Sequence, residues 1–217
     1  MGGVYNEIKN IQCLNVLDLP DEILLKIAKH LCIKDLLKCA QTCQRIRVIC
    51  YDETLWYKIN LCDKKVPTSF IQHILENGCR YLSLNGAELV GSSLSLKKES
   101  KLKYLDLDNC QANYNDLQEL LASCHNLQKL SVKSLKDCEA NLVKCICLQN
   151  GQTLEVLNLE HSTFDIESNS DLEAIQYIVN NCVNLIELSF VFNNELVSQD
   201  SITYFVNNLT PKVIRIC

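Results

Sequence analysis

Proline and glycine are scarce in this chain of 217 residues, with 3 Pro and 6 Gly. That excludes collagen-like and Pro/Gly-rich disordered architectures. Long apolar runs are missing: no stretch approaches the roughly 18 residues of a membrane helix. Residues 1–14 lack the basic start and apolar core of a signal peptide. An excess of positive charge is missing too. Lys and Arg total 21 against 26 Asp and Glu, a formal charge of −5, so the basic footprint of a general nucleic-acid binder is absent. Metal-ligand spacing is equally thin. Cys39/Cys43 and Cys145/Cys147 have no second pair at ligand spacing, and His30, His73, His125 and His161 are scattered. No metal and no cofactor is expected.

What is abundant is cysteine, 14 residues, and leucine, 35 residues. Without a secretion signal, the cysteines read as small core hydrophobes in a reducing cytoplasm or nucleus. Cys32, Cys39, Cys43 and Cys50, separated by 7, 4 and 7, are expected on one buried helical face. Nothing selects one thiol as an activated nucleophile, so a thiol enzyme is disfavoured.

The leucines repeat. Leu-x-x-Leu-x-Leu and its variants read LKYLDL at Leu102–Leu107, LQKLSV at Leu127–Val132, LEVLNL at Leu154–Leu159 and LIELSF at Leu185–Phe190. CRYLSL at Cys79–Leu84 opens the series, and PKVIRI at Pro211–Ile216 is a degraded last copy. The central positions 82, 105, 130, 157, 188 and 214 are 23, 25, 27, 31 and 26 residues apart. This is close to the period of leucine-rich repeats. The intervals carry helical spacing: Ile71/Ile74/Leu75, Leu117/Leu120/Leu121/Cys124, Leu142/Cys145/Ile146, Leu172/Ile175/Val179 and Ile202/Phe205/Val206/Leu209. Asn115, Ser170 and Ser198 are candidate caps. A strand and a helix, repeated, predict a right-handed stack with parallel strands inside and helices outside, its Leu faces buried between neighbours. Cys110 occupies the slot where such repeats place Asn or Cys. The chain stops inside a strand phrase, so the last strand is expected to present an unpaired edge needing a longer product or a partner.

Strand alternation predicts the face opposite the core. One column is Tyr81, Tyr104, Lys129, Val156 and Glu187. The next is Ser83, Asp106, Ser131, Asn158 and Ser189. The third is Asn85, Asp108, Lys133, Glu160 and Val191. The candidate substrate-contacting residues are Tyr81, Ser83, Tyr104, Asp106, Asp108, Lys129, Ser131, Lys133, Asn158, Glu160 and Glu187. No carboxylate pair there has a basic or nucleophilic companion, so the face reads as a contact surface, with a merely solvated sheet as the rival.

Residues 15–60 lack the repeat and have dense helical spacing. Pro20 is expected in a first helical turn with Asp21 and Glu22 at the positive end of the dipole. Ile23, Ile27 and Leu31 follow on one face. A second helix from near Asp35 would carry Leu36, Ala40 and Cys43, and a third Ile46, Ile49 and Cys50. Some 45 residues make a small core, so surplus apolar surface is expected against a partner.

The run LPDEILLKIAKHLCIKDLLKCAQTCQRIRVICYDETLWYKI, Leu19 to Ile59, resembles an F-box in its LPDE opening, KDLL turn-helix, late Cys and LW end. Together with the repeats, the chain resembles F-box/leucine-rich-repeat proteins. YLDLDNCQANYNDLQELLASCHNLQKLSV and LWYKINL are similar to the S-phase-kinase-associated F-box receptor family, in what would be a short form. The resemblance implies three regions: a tail at 1–14, an F-box at 15–60 and repeats at 61–217, the last as about five repeats plus a terminal strand in an α/β fold. It implies a non-catalytic substrate receptor of an SCF ubiquitin ligase. A Skp-family adaptor would join it to cullin and a RING subunit, and an unknown protein would be held for degradation. The alternative is a truncated receptor that occupies adaptor without recruiting substrate. On the family pattern Leu19, Pro20, Ile23, Leu24, Ile27, Leu31, Leu36, Leu37 and Trp56 form the adaptor-facing and supporting apolar set. Later repeats that carry accessory-subunit contacts in that family have no counterpart here, so neither accessory nor substrate is carried over.

Overall fold

The computed structural model describes residues 15–96, 99–133, 140–164, 177–178, 180–192 and 214–216. They divide into two compact units at Leu55/Trp56.

The first unit is helical. A 3-10 turn, Val16–Asp18, is closed reciprocally by Asn15 and Asp18. Then come α1 (Asp21–Ala28), α2 (Ile33–Cys39) and α3 (Gln44–Cys50), with the short α4 (Glu53–Trp56) crossing the boundary. Pro20 stands before the first turn of α1 rather than in it: its extended backbone, φ −57° and ψ 152°, makes it the N-cap. Its carbonyl accepts from the amides of Ile23 and Leu24 at 3.0 and 3.1 Å. α1 ends at Ala28, so Leu31 lies beyond it. α3 packs on both α1 and α2. Leu24, Ala28, Leu36, Ala40, Ile49 and Cys50 form the core. The expected buried cysteine face does not form. Cys32 is exposed, Cys39 and Cys43 are half-buried, and only Cys50 is buried. The chain leaves the helix between 40 and 43, so a 7-4-7 spacing cannot stay on one face. Cys32 and Cys43 become N-cap positions, and the Cys32 thiol donates to Asp35 at 3.2 Å.

The second unit is a parallel sheet whose strands follow chain order: β1 (Lys58–Asn60), β3 (Tyr81–Ser83), β5 (Tyr104–Asp106), β6 (Lys129–Ser131), β7 (Val156–Phe164), β8 (Glu187–Phe192) and β9 (Ile214–Ile216). β2 (Lys65–Pro67) and β4 (Glu88–Val90) form a second parallel pair, extended by a bridge from Glu88 to Gln111. The central residues Ile59, Leu82, Leu105, Leu130, Leu157, Leu188 and Ile214 pair in one register. β1 is a strand that the Leu-x-x-Leu phrase does not reveal. It places residues 56–60 in this unit, whereas the sequence reading ran the helical region to residue 60.

Helices α5 (Thr68–Glu76), α6 (Tyr114–Ala122) and α7 (Ala140–Asn150) fall between strands. α5 buries Ile71, Ile74 and Leu75, and α6 buries Leu117, Leu120 and Leu121, as their spacing requires. On α7 the buried set is Leu142, Val143, Ile146 and Cys147, with Cys145 only half-buried. α6 is capped by Asn113, not Asn115. Asn113 has extended backbone, and its side chain accepts from the Asp116 amide at 2.8 Å, whereas Asn115 sits inside the helix. The helices expected around Leu172/Ile175/Val179 and Ile202–Leu209, the caps Ser170 and Ser198, the face residue Val191 and the tail 1–14 rest on residues or side chains outside those described.

Four consecutive phrases bury their three apolar slots: Cys79/Leu82/Leu84, Leu102/Leu105/Leu107, Leu127/Leu130/Val132 and Leu154/Leu157/Leu159, while Leu185 of the next is half-buried. Four residues after the centres Ile59, Leu82 and Leu105 the backbone turns left-handed, at Asp63 (φ 54°), Gly86 (φ 64°) and Asn109 (φ 53°). Gly, Asn and Asp tolerate that region best. At Gly86 a Cβ would also meet the Asp63 carboxylate, which would have to swing aside. Buried polar groups are satisfied: Asp116 accepts from the Leu94 amide at 2.6 Å, and Asn150 from the Leu127 amide at 2.9 Å.

Candidate interaction surfaces

In the helical unit the apolar set predicted to face or support an adaptor separates into three groups. Leu24 and Leu36 are buried and hold the unit together. Leu19, Leu31 and Leu37 are half-buried, and Pro20 is exposed. Ile23 and Ile27 are 39% and 45% exposed, one turn apart on α1, on the flank of the buried pair Leu24 and Ala28. Val16, Leu17 and Val48 are also exposed, Val48 at 70%. A small unit with this much uncovered aliphatic surface has the composition of a binding site rather than of a finished exterior. Trp56 is elsewhere: it falls in the second unit, wholly buried, edge-on to His73 with ring centroids 5.2 Å apart.

Arg45 on α3 is a functional candidate that apolar periodicity could not find. Its guanidinium donates to the Asp21 carboxylate at 2.6 and 2.9 Å, to the Leu19 carbonyl at 2.7 Å, and to the Leu17 carbonyl. One planar fork thus fixes the chain from 17 to 21, which leads into the exposed side of α1.

In the sheet unit the predicted columns emerge side by side. Tyr81, Tyr104, Lys129, Val156 and Glu187 are successive Cα partners. Ser83, Asp106, Ser131 and Asn158 form the next row, partly exposed. Ser189, expected beside them, is instead buried.

The polar columns are tied to one another. The Ser83 hydroxyl donates to Asp106 at 2.7 Å, and the Ser131 hydroxyl to Asp108 at 2.6 Å. Asp108 also accepts from the Lys133 amide at 2.8 Å. Lys133 pairs with Glu160 at 2.7 Å, and that hydrogen bond holds the ammonium above its ordinary range. Asn60, Asp106 and Asn158 each accept from the amide two residues on, at 2.9, 3.1 and 3.0 Å. Cys62 Sγ lies 3.2 Å from Ser83 Oγ, so β1 joins the ladder. Side chains so engaged position the strands and one another.

The first column is less committed. Tyr57 and Tyr81 have ring centroids 5.1 Å apart, and Tyr81 stacks on Tyr104 at 6.3 Å. The hydrogen bond with Tyr81 raises the Tyr57 phenol, while burial and then the charges of Asp106 and Asp108 raise Tyr104. The sequence reading reached Tyr81, Tyr104 and Lys129 but missed Tyr57 and Lys58, because β1 is centred on Ile59 in place of Leu, and Arg80 and Lys103, which precede the alternating columns.

Several buried thiols hold their protons more tightly than a free thiol. Burial lifts Cys79 and Cys110 to about 11 and raises Cys124. A hydrogen bond with Cys182, and then burial, raises Cys147. Among the described residues no three of His, Cys, Asp and Glu group to hold a metal, and no helix is long and apolar enough to cross a membrane.

Residues 16–62 match a family model described as F-box-like. The chain therefore carries an F-box-like domain, which takes in the whole helical unit from Val16 and runs on into β1.

Proposed function

We propose that this chain is a non-catalytic substrate receptor of an SCF-type ubiquitin ligase, acting in the cytoplasm or nucleus. F-box domains bind Skp-family adaptors, and the match over residues 16–62 carries the proposal. The exposed side of α1, Ile23 and Ile27, with Leu17 and Pro20 before it, offers the apolar surface such a contact would bury. Arg45 positions that approach. The sheet unit is then a right-handed leucine-rich-repeat solenoid. Its support is the seven central residues in one register and the left-handed turn recurring at 63, 86 and 109. The mechanism is positional. A protein held on the sheet face is brought, through adaptor, cullin and RING subunit, to a charged conjugating enzyme at high effective concentration. The interlocked polar ladder, and the raised thiols of Cys79, Cys110 and Cys124, suit a contact surface.

Affinity purification tests this. The wild-type chain should retain adaptor and cullin. An Ile23→Asp/Ile27→Asp variant, altered only at exposed positions, should lose both while melting like wild type. A folded wild-type chain that ignores the adaptor at micromolar concentration overturns the proposal.

A further inference from the structure

The start of the sheet face is charged in a way the whole chain is not. Lys58, Tyr81, Tyr104 and Lys129 lie in one row across β1, β3, β5 and β6. The preceding row is Tyr57, Arg80 and Lys103, joined because the Tyr57 carbonyl accepts from the Arg80 amide and the Arg80 carbonyl from the Lys103 amide. Four cations and three tyrosines therefore occupy four neighbouring strand starts, in a protein of net charge −5. With strands about 4.8 Å apart, the strip is about 15 Å long. Among the described residues none of the four cations pairs with a carboxylate, whereas Lys65 and Lys133 on the same unit do. Beyond β6 the rows change to Glu155, Val156 and Glu187, so the strip ends.

We infer that this strip is the docking site for an extended acidic protein segment lying across β1, β3, β5 and β6. Charge complementarity selects the sign. The rings supply amphipathic contact area at low entropy cost. Single-stranded nucleic acid also seeks cations among aromatics, but it stacks bases on open ring faces. Here Tyr81 and Tyr104 stack on each other, and the Arg80 guanidinium stands 5.8 Å over the Tyr57 ring. That the acidic segment belongs to a ubiquitination substrate rests on the receptor reading above; the charge and geometry of the strip do not.

Fluorescence anisotropy on the full chain tests the site. The probe is a labelled decapeptide of alternating glutamate and leucine, with its glutamine counterpart and a thymidine decamer as comparisons. The glutamate peptide should bind, weaken as salt rises, and exceed the glutamine peptide by about tenfold or more. Arg80→Glu/Lys103→Glu should abolish that preference. Lys58→Glu/Lys129→Glu, at exposed positions, should do the same if the first pair fails to fold. Lys64→Glu, past the far end of β1, should leave it unchanged. Absent binding, equal affinity for the two peptides, indifference to both charge reversals, or a decamer binding as tightly would overturn the assignment. The readout needs no adaptor. A chain that binds adaptor but not the peptide sinks the strip alone, and one that binds peptide but not adaptor sinks the receptor reading alone.

Discussion

The two units handle their apolar residues in opposite ways. Among described residues the helical unit buries six apolar side chains and leaves five large ones exposed: Val16, Leu17, Ile23, Ile27 and Val48. The sheet unit buries every apolar slot of four consecutive phrases, and its exposed large apolar residues are Tyr57, Leu148, Val183 and Ile186. Each strand pairs with the next and brings its own buried apolar slots, so the sheet completes its core as it grows. Three short helices cannot do that, and the aliphatic surface left over is where a partner gains most from burial. A small core and exposed aliphatic side chains are two consequences of one shortage of chain.

The sharpest way to break this contrast is to remove equal-sized side chains from the two settings. Leu105→Ala, in a fully buried strand centre paired on both sides, should cost about 2–5 kcal/mol in denaturant unfolding. Ile23→Ala should cost under about 1 kcal/mol yet weaken adaptor binding more than Leu105→Ala does. Equal stability losses would erase the distinction between core and contact.

Alkaline pH should separate the units next. Folded Cys79 and Cys110 hold their protons to about 11, while an unfolded thiol ionises near its ordinary 9.0. Stability present below pH 9 therefore falls as pH rises from about 9 to about 11, by on the order of 2–3 kcal/mol for each thiol. Melting temperatures across that window should decline less steeply in a Cys79→Val/Cys110→Val variant. Identical slopes would mean that these thiols are not shielded.

The smallest effect on stability is expected at Arg45, whose ion pair with Asp21 is largely exposed. Such pairs contribute about 0–1 kcal/mol. Arg45→Ala should thus barely move the melting temperature but weaken adaptor binding several-fold, because residues 17–21 lose their anchor. Arg45→Lys should not rescue binding, since an ammonium cannot reach three acceptors in a plane. Unchanged adaptor affinity in Arg45→Ala would remove its positioning role.

Much of the sheet was legible in advance. Leu82, Leu105, Leu130 and Leu157 recur at a regular interval, and a parallel register turns that interval into a column. β1 was hidden because its centre is Ile59 and its phrase begins inside the F-box run. In the helical unit, spacing found the helices but not their ends. Pro20 as a cap, Leu31 beyond α1 and the scattered cysteines all follow from breaks that a 3.6-residue period cannot see. The apolar adaptor set was named whole, and only burial separated Leu24 and Leu36 from Ile23 and Ile27.

Alone, the order of residues determined where leucines recur, which strand positions alternate and where an F-box-like segment lies, because these are one-dimensional regularities enforced by helix and strand periods. Which isoleucine faces water, which aspartate is held by a neighbouring serine and which lysines are left without a counter-charge were decided only when distant segments met. Burial and pairing are properties of a surface, and adjacent strand starts such as Lys58 and Tyr81 are 23 residues apart along the chain.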